Sequence, residues 1–250
     1  MPHWFLEHGW ASSWSRLAIA GAVTVAFAVV ARALRAVTRP GAAAGGAACL
    51  LLYASAGPPA FATLAVLFLF TWISTRLGYR RKRELGVAER GEGRSAWQVL
   101  ANLGVSALCA LVFGITGNRL WLVASAAALA EAAADTVASE IGQTHGQNAR
   151  LITNWKSVPH GTDGGVTLLG TAAGFIAGLA VAAIAAFGGM IPVAQFWIPV
   201  AAGFAGMLVD SLLGATYQRR GWMSNEAVNL LSTLAAAALA LAISISTRPL

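Results

Sequence analysis

The sequence predicts an all-α, polytopic membrane helix bundle of about eight transmembrane helices, with both termini outside. Three observations predict it. Apolar residues make up 57% of the 250-residue chain and charged residues 11%, far under the roughly 25% of ordinary soluble domains. Mean hydropathy is +0.66, too apolar for a fold that must cover itself with polar surface. Apolar runs of bilayer-spanning length, about 17–25 residues, alternate with loops of which every second one is basic.

Taken in order, the opening "MPHWFLEHGWASSW" lacks the basic n-region of a signal peptide, and its tryptophans suit a membrane interface. Spans are expected near 16–36, 41–57, 58–75, 95–116, 119–142, 165–188, 194–217 and 226–247. "GPP" at 57–59 separates the second from the third, because proline starts a helix at no cost in hydrogen bonds. "TRLGYRRKRELGVAERGEGRS" is a basic loop that fixes topology beside anionic lipid. The chain divides at that loop into a three-helix segment, 1–94, and a five-helix segment, 95–250, within one integrated membrane domain. Cys49 and Cys109 fall in apolar runs and read as small buried hydrophobes, not as a disulfide.

Orientation follows from the arginines and lysines. With the N-terminus outside, the inner side carries Arg32, Arg35, Arg39, Arg76, Arg80, Arg81, Lys82, Arg83, Arg90, Arg94, Arg150, Lys156, Arg219 and Arg220. The outer side carries only Arg16, Arg119 and Arg248. This places the protein in the cell's inner or plasma membrane with any site at the inner ends of the helices facing the cytoplasm.

The acids are not scattered. Glu131, Asp135, Glu140, Asp163, Asp210 and Glu226 all fall in or beside the inner halves of the later spans. Asp135 and Asp210 each lie seven residues from the inner end of a span, and Asn102 lies seven residues into one. At helical rise all three sit roughly 10 Å below the inner surface. Carboxylates at membrane depth are costly and are expected to face a polar cavity. Glu131, Asp135 and Ser139 share one helix face, as do Gln98 with Asn102 and Asn225 with Asn229. Glu140 points about 140° away from Asp135 by the helical period, toward a neighbouring helix or the loop. "ADTVASEIGQ" and "VDSLLGATYQ" match each other, as do "QVLANL" and "NEAVNL", which suggests an internal repeat.

The loop "RLITNWKSVPHGTDGGVTLLG" carries Lys156, one of two lysines in the chain. Its "GTDGGV" suits a phosphate site, since glycines let backbone N–H groups approach an anion. The alternative is a plain helix cap by Thr162 or Asp163. Gly170, Gly174 and Gly178, four apart, read as a close helix-packing stripe. No P-loop signature, zinc spacing or serine-hydrolase motif is present, His145 and His160 read as solvated, and the dispersed basic residues do not suit nucleic acid.

Together, "TRLGYRRKRELGVAERGEGR…QVLAN", "ADTVASEIGQ", "RLITNWKSVPHGTDGGVTLLGT", "VDSLLGAT" and "NEAVNLLS" resemble, in order, the transmembrane protein 19 family, formerly a domain of unknown function numbered ninety-two. That family includes phytyl-phosphate kinases. More distantly the segments are similar to dolichol and phytol kinases and to phosphatidate cytidylyltransferases. By this resemblance the motif positions are Asn102, Asp135, Ser139, Glu140, Lys156, Gly161, Thr162, Gly164, Gly165, Asp210, Ser211, Asn225 and Asn229. Leu103 and Asp163 depart from the family's usual residues. The resemblance implies CTP-dependent phosphoryl transfer to an isoprenyl monophosphate. Asp135 and Asp210 are then expected to hold Mg2+. Lys156, Arg150 and the "GTDGG" amides would bind nucleotide phosphates, and Asn102, Asn225 and Asn229 would orient the acceptor phosphate or the metal's waters. Glu140 or Asp163 would serve as base only if the acceptor were an alcohol. A CTP-using cytidylyltransferase, an isoprenoid-alcohol kinase, and a lipid or ion transporter or lipid-binding membrane protein remain as alternatives.

Overall fold

The computed structural model describes residues 14–84 and 93–247. The interfacial reading of the opening segment, and Glu89, Arg90, Glu92 and Arg248, lie outside them. The described helices are α1 (Trp14–Ala33), α2 (Arg39–Arg76), α3 (Tyr79–Glu84), α4 (Ala96–Thr116), α5 (Leu120–His145), α6 (Leu168–Phe187), α7 (Trp197–Thr216) and α8 (Asn225–Ser246). A two-stranded antiparallel ribbon, β1 (Arg150–Leu151) with β2 (Gly165–Val166), lies between α5 and α6. Among the described residues six helical stretches are long and apolar enough to cross a membrane, and Leu17–Ala33 is a shorter apolar helix.

One of the six is two crossings. As a straight rod α2 would be roughly 57 Å long at about 1.5 Å per residue. Instead Gly57 takes φ 73°, ψ −162°, a conformation that glycine alone adopts freely, and Pro58 and Pro59 begin the second limb. The two ends of α2 consequently return to one place. Thr38 N donates to Arg94 O, while Arg76 at the other end donates to Leu34 O. The "GPP" break therefore does what the sequence leads one to expect, and the expected eight spans each have a helical counterpart.

α5 forms the centre and is packed by α2, α4, α6, α7 and α8. Its run Ala126–Ala134 is almost wholly buried, and alanines let five neighbours approach closely. The Gly170, Gly174 and Gly178 stripe of α6 lies against this helix. A Cβ on Gly170 would sit 2.5 Å from Ala138 O, and one on Gly174 2.5 Å from Ala134 O. From α7, Gly203 and Gly206 pack against Ala130 and Glu131 in the same manner.

Candidate functional site

Four helices bring polar side chains to one end of the bundle. There a cavity of about 230 Å3 is lined by those helices (α4, α5, α7 and α8), by Thr171 in the first turn of α6, by Arg94 and by the loop between α5 and α6. Asp135 of α5 and Asp210 of α7 lie within hydrogen-bonding reach of each other. Ser232 donates to Asp210 Oδ2 at 3.2 Å. With its amide oriented so that nitrogen meets acceptors, Asn229 donates to Asp210 Oδ2 at 3.1 Å and accepts from Asn102 Nδ2 at 3.2 Å. Asn102 also donates to Gln98 O. The two segment pairs that match in sequence thus meet in space, Asp135 against Asp210 and Asn102 against Asn229. Behind the carboxylates stands Glu131, in electrostatic reach of both. Its Oε1 is buried with no hydrogen-bond partner among the described residues.

The rim is made by the loop and by Arg94. Gly161 and Gly164 adopt positive φ, and a Cβ on Gly164 would sit 2.3 Å from Ala215 N, so the glycine turn is laid directly on the end of α7. Gln218 donates to Asp163 Oδ1 at 3.0 Å. Partial burial pushes the Asp163 carboxyl above its ordinary range, with Arg219 opposing. Arg94 is fixed by its backbone: Thr38 N donates to Arg94 O at 3.0 Å and Arg94 N to Ala36 O at 2.9 Å. Its guanidinium reaches Thr136 Oγ1 at 3.5 Å and lies in electrostatic reach of Asp135.

Of the residues expected at a site, Asn102, Asp135, Ser139, Glu140, Gly161, Thr162, Asp163, Gly164, Gly165, Asp210, Ser211, Asn225 and Asn229 line this cavity. Lys156 and Arg150 do not. Lys156 is exposed, and Arg150 donates to Trp155 O at 2.9 Å, a bond within the loop itself. Glu140 is at the wall, but its carboxylate is already engaged. Lys82 donates to Oε2 and Thr75 to Oε1 at 3.0 Å. That arrangement realises the rotation away from Asp135 and removes Glu140 as a free base. Nor does Thr162 or Asp163 cap the following helix. Thr167 does so, accepting from Gly170 N at 3.0 Å, because the chain first passes through β2.

The sequence did not single out Arg94, Thr136, Gln143, Gln218 or His160, all of which line the cavity. Gln143 and Gln218 stood at the matched ends of the repeat, a usable signal. Arg94 was hidden among the arginines of its loop. His160, read as solvated, has Nδ1 buried.

Residues 22–237 match the family model described as Integral membrane protein DUF92. The chain belongs to that family. It is the family that the ordered motifs resembled, and membership makes this an integral membrane protein. Relatives include an uncharacterized membrane protein of Synechocystis sp., 35% identical over 78% of this chain and 77% of that one. Protein VTE6, chloroplastic, of Arabidopsis thaliana is 31% identical over 76% of this chain and 61% of its own length. An uncharacterized membrane protein of Methanocaldococcus jannaschii is 34% identical over 67% and 68%. No solved structure matches the chain.

Proposed function

We propose that this DUF92 protein is a membrane-embedded isoprenyl-phosphate kinase that transfers the γ-phosphoryl group of CTP to an isoprenyl monophosphate. The observation that carries the reading is the facing pair Asp135 and Asp210, the latter held by Asn229 and Ser232, in a cavity at one end of the bundle. The family resemblance, which takes in phytyl-phosphate kinases, supports the same class of substrate.

The donor set is one that Mg2+ favours: hard oxygens from two carboxylates, with room for water and substrate phosphates. Among the described residues no group of three or more His, Cys, Asp or Glu forms a dedicated metal cage, and Mg2+ at phosphoryl-transfer sites seldom has one. Asp135 and Asp210 would hold the ion, which when bound neutralises charge on the phosphates. Phosphoryl transfer depends mainly on position and charge, and the remaining residues supply both. Backbone amides of the Gly161–Gly165 turn would receive the nucleotide phosphates over the rim. Arg94 would neutralise the acceptor phosphate opposite them. Asn102 and Asn229, locked to each other and to Asp210, would fix its orientation. An acceptor phosphate oxygen attacks the γ-phosphorus, the bond from that phosphorus to the bridging oxygen breaks, and CDP leaves. A phosphate monoester is already largely a dianion at neutral pH, so no base is required, in keeping with the engagement of Glu140 by Lys82. The site would face the cytoplasm, on the side of the basic loops.

The test is purified protein with γ-labelled CTP, Mg2+ and geranylgeranyl monophosphate. The expected products are labelled diphosphate and CDP, abolished in Asp210→Asn with unchanged thermal unfolding. Pyrophosphate without CDP would make the protein a cytidylyltransferase. A folded protein inert across a panel of isoprenyl phosphates and nucleotides sinks the proposal.

A further inference from the structure

A second cavity, of about 420 Å3, lies between α1, both limbs of α2 and the start of α4. Its volume is within the roughly 300–1,000 Å3 of small-molecule sites. Its two ends differ in chemistry. The inner part is walled by Phe27, Leu64, Leu67, Phe68 and Leu103. Its mouth carries Arg35, Arg76 and Arg94, and among the described residues no carboxylate lines it. From Arg76 down to Leu64 along the second limb of α2 is roughly 18 Å at helical rise. Arg94 and Asn102 line this chamber and the polar cavity alike, so the two spaces adjoin at those side chains.

We infer that this chamber is the acceptor site, taking the chain of a single-chain isoprenyl phosphate monoester while the three arginines hold its phosphate at the junction with the Asp135–Asp210 cavity. The inference rests on the kinase reading for the identity of the reaction, not for the place of the lipid. Charge complementarity selects the head. Guanidinium groups bind phosphate through paired N–H donors, and a mouth with three cations, of which only Arg94 also lies near a carboxylate, that of Asp135 in the adjoining cavity, among the described residues, suits a dianion. Moving the chain from the bilayer into the chamber adds little affinity, because bilayer tails are as apolar as the chamber wall, but a chain shut out of a filled chamber would keep its head from the arginines. Its role is alignment: an anionic head at Arg94 and Asn102 has its phosphate beside the side chains that bind Asp210. Small residues make the room. Gly45 and Gly46 face the chamber, and a Cβ on Gly45 would meet only Val99, at 3.7 Å.

The test is a geranylgeranyl monophosphate bearing a diazirine at the far end of the chain, photolysed on the intact wild-type protein in nanodiscs, with adducts mapped by mass spectrometry. Adducts at Leu64, Leu67 or Phe68, suppressed by unlabelled geranylgeranyl monophosphate but not by geranylgeraniol or phosphatidate, are the expected result. Gly45→Leu is expected to weaken binding of the C20 monophosphate about tenfold and leave that of dimethylallyl phosphate unchanged. Arg35→Gln should weaken both monophosphates by a similar factor. Adducts confined to helices α6–α8, or equal suppression by phosphatidate, overturn the assignment. Turnover with adducts elsewhere refutes the chamber and spares the kinase. Chamber adducts without turnover under any nucleotide do the reverse.

Discussion

Replacing Lys82 by methionine removes a charge from one of the most enclosed places in the protein. Lys82 is 1% exposed, although it lies in the basic stretch that composition assigns to water. Its Nζ donates to Ser74 O at 3.1 Å, to Thr75 O at 2.7 Å and to Glu140. Methionine keeps most of the volume but leaves Glu140, 8% exposed, with the Thr75 hydroxyl as its remaining side-chain partner. Breaking a buried pair by deleting one partner costs about 3–5 kcal/mol. At about 2–4 °C per kcal/mol for a chain of this length, the melting temperature falls by about 6–20 °C. Adding Glu140→Gln removes the stranded charge while keeping an acceptor for Thr75, and restores most of the loss. The assay is thermal unfolding in detergent followed with a thiol-reactive dye, which reports exposure of the buried Cys49 and Cys109. A single variant within about 2 °C of wild type, or a double variant no more stable than the single, refutes the reasoning.

Gly174→Ala places a methyl group 2.5 Å from Ala134 O and is expected to lower stability by about 1–3 kcal/mol through overpacking. Gly104→Ala, with nothing within 4 Å of its Cβ, should be stabilising by about 0.5–1 kcal/mol, and the same dye assay compares them. Thr167→Ala removes the cap that accepts from Gly170 N and should cost about 0.5–2 kcal/mol. Burial raises the Asp163 carboxyl in the folded state, so the native protein holds this proton more tightly than the unfolded chain does. Its contribution to stability therefore declines as pH rises from about 3.9 upward. Asp163→Asn is expected to melt above wild type at pH 8, with the gap closing at pH 4. A gap that widens toward acid pH contradicts that account.

Depth along the membrane normal was legible in the sequence, and position around the helix axis was legible only in part. Hydropathy, the "GPP" break and the alternation of basic loops depend on neighbouring residues and on a constant rise per residue, so they placed the spans and put Asn102, Asp135 and Asp210 in one layer. The i, i+4 spacing and the internal match also selected the faces that meet. Which helix stands beside which is not encoded locally. The pairing of Asp135 with Asp210 required α5 and α7 to pack side by side, through Gly203 and Gly206. Loops were legible least, because their paths are set by contacts with distant segments. Arg94 reaches the cavity because residues 36–38 bind its backbone, whereas Lys156 leaves because its own loop curls through β1 and β2. Lys82 becomes buried because α3 tucks beside the end of α5. The sequence by itself determined a layered membrane bundle with its acids at one depth. Tertiary structure decided which of the charges meet, because a side chain's partner depends on helix rotation and chain return, and neither is a local property of sequence.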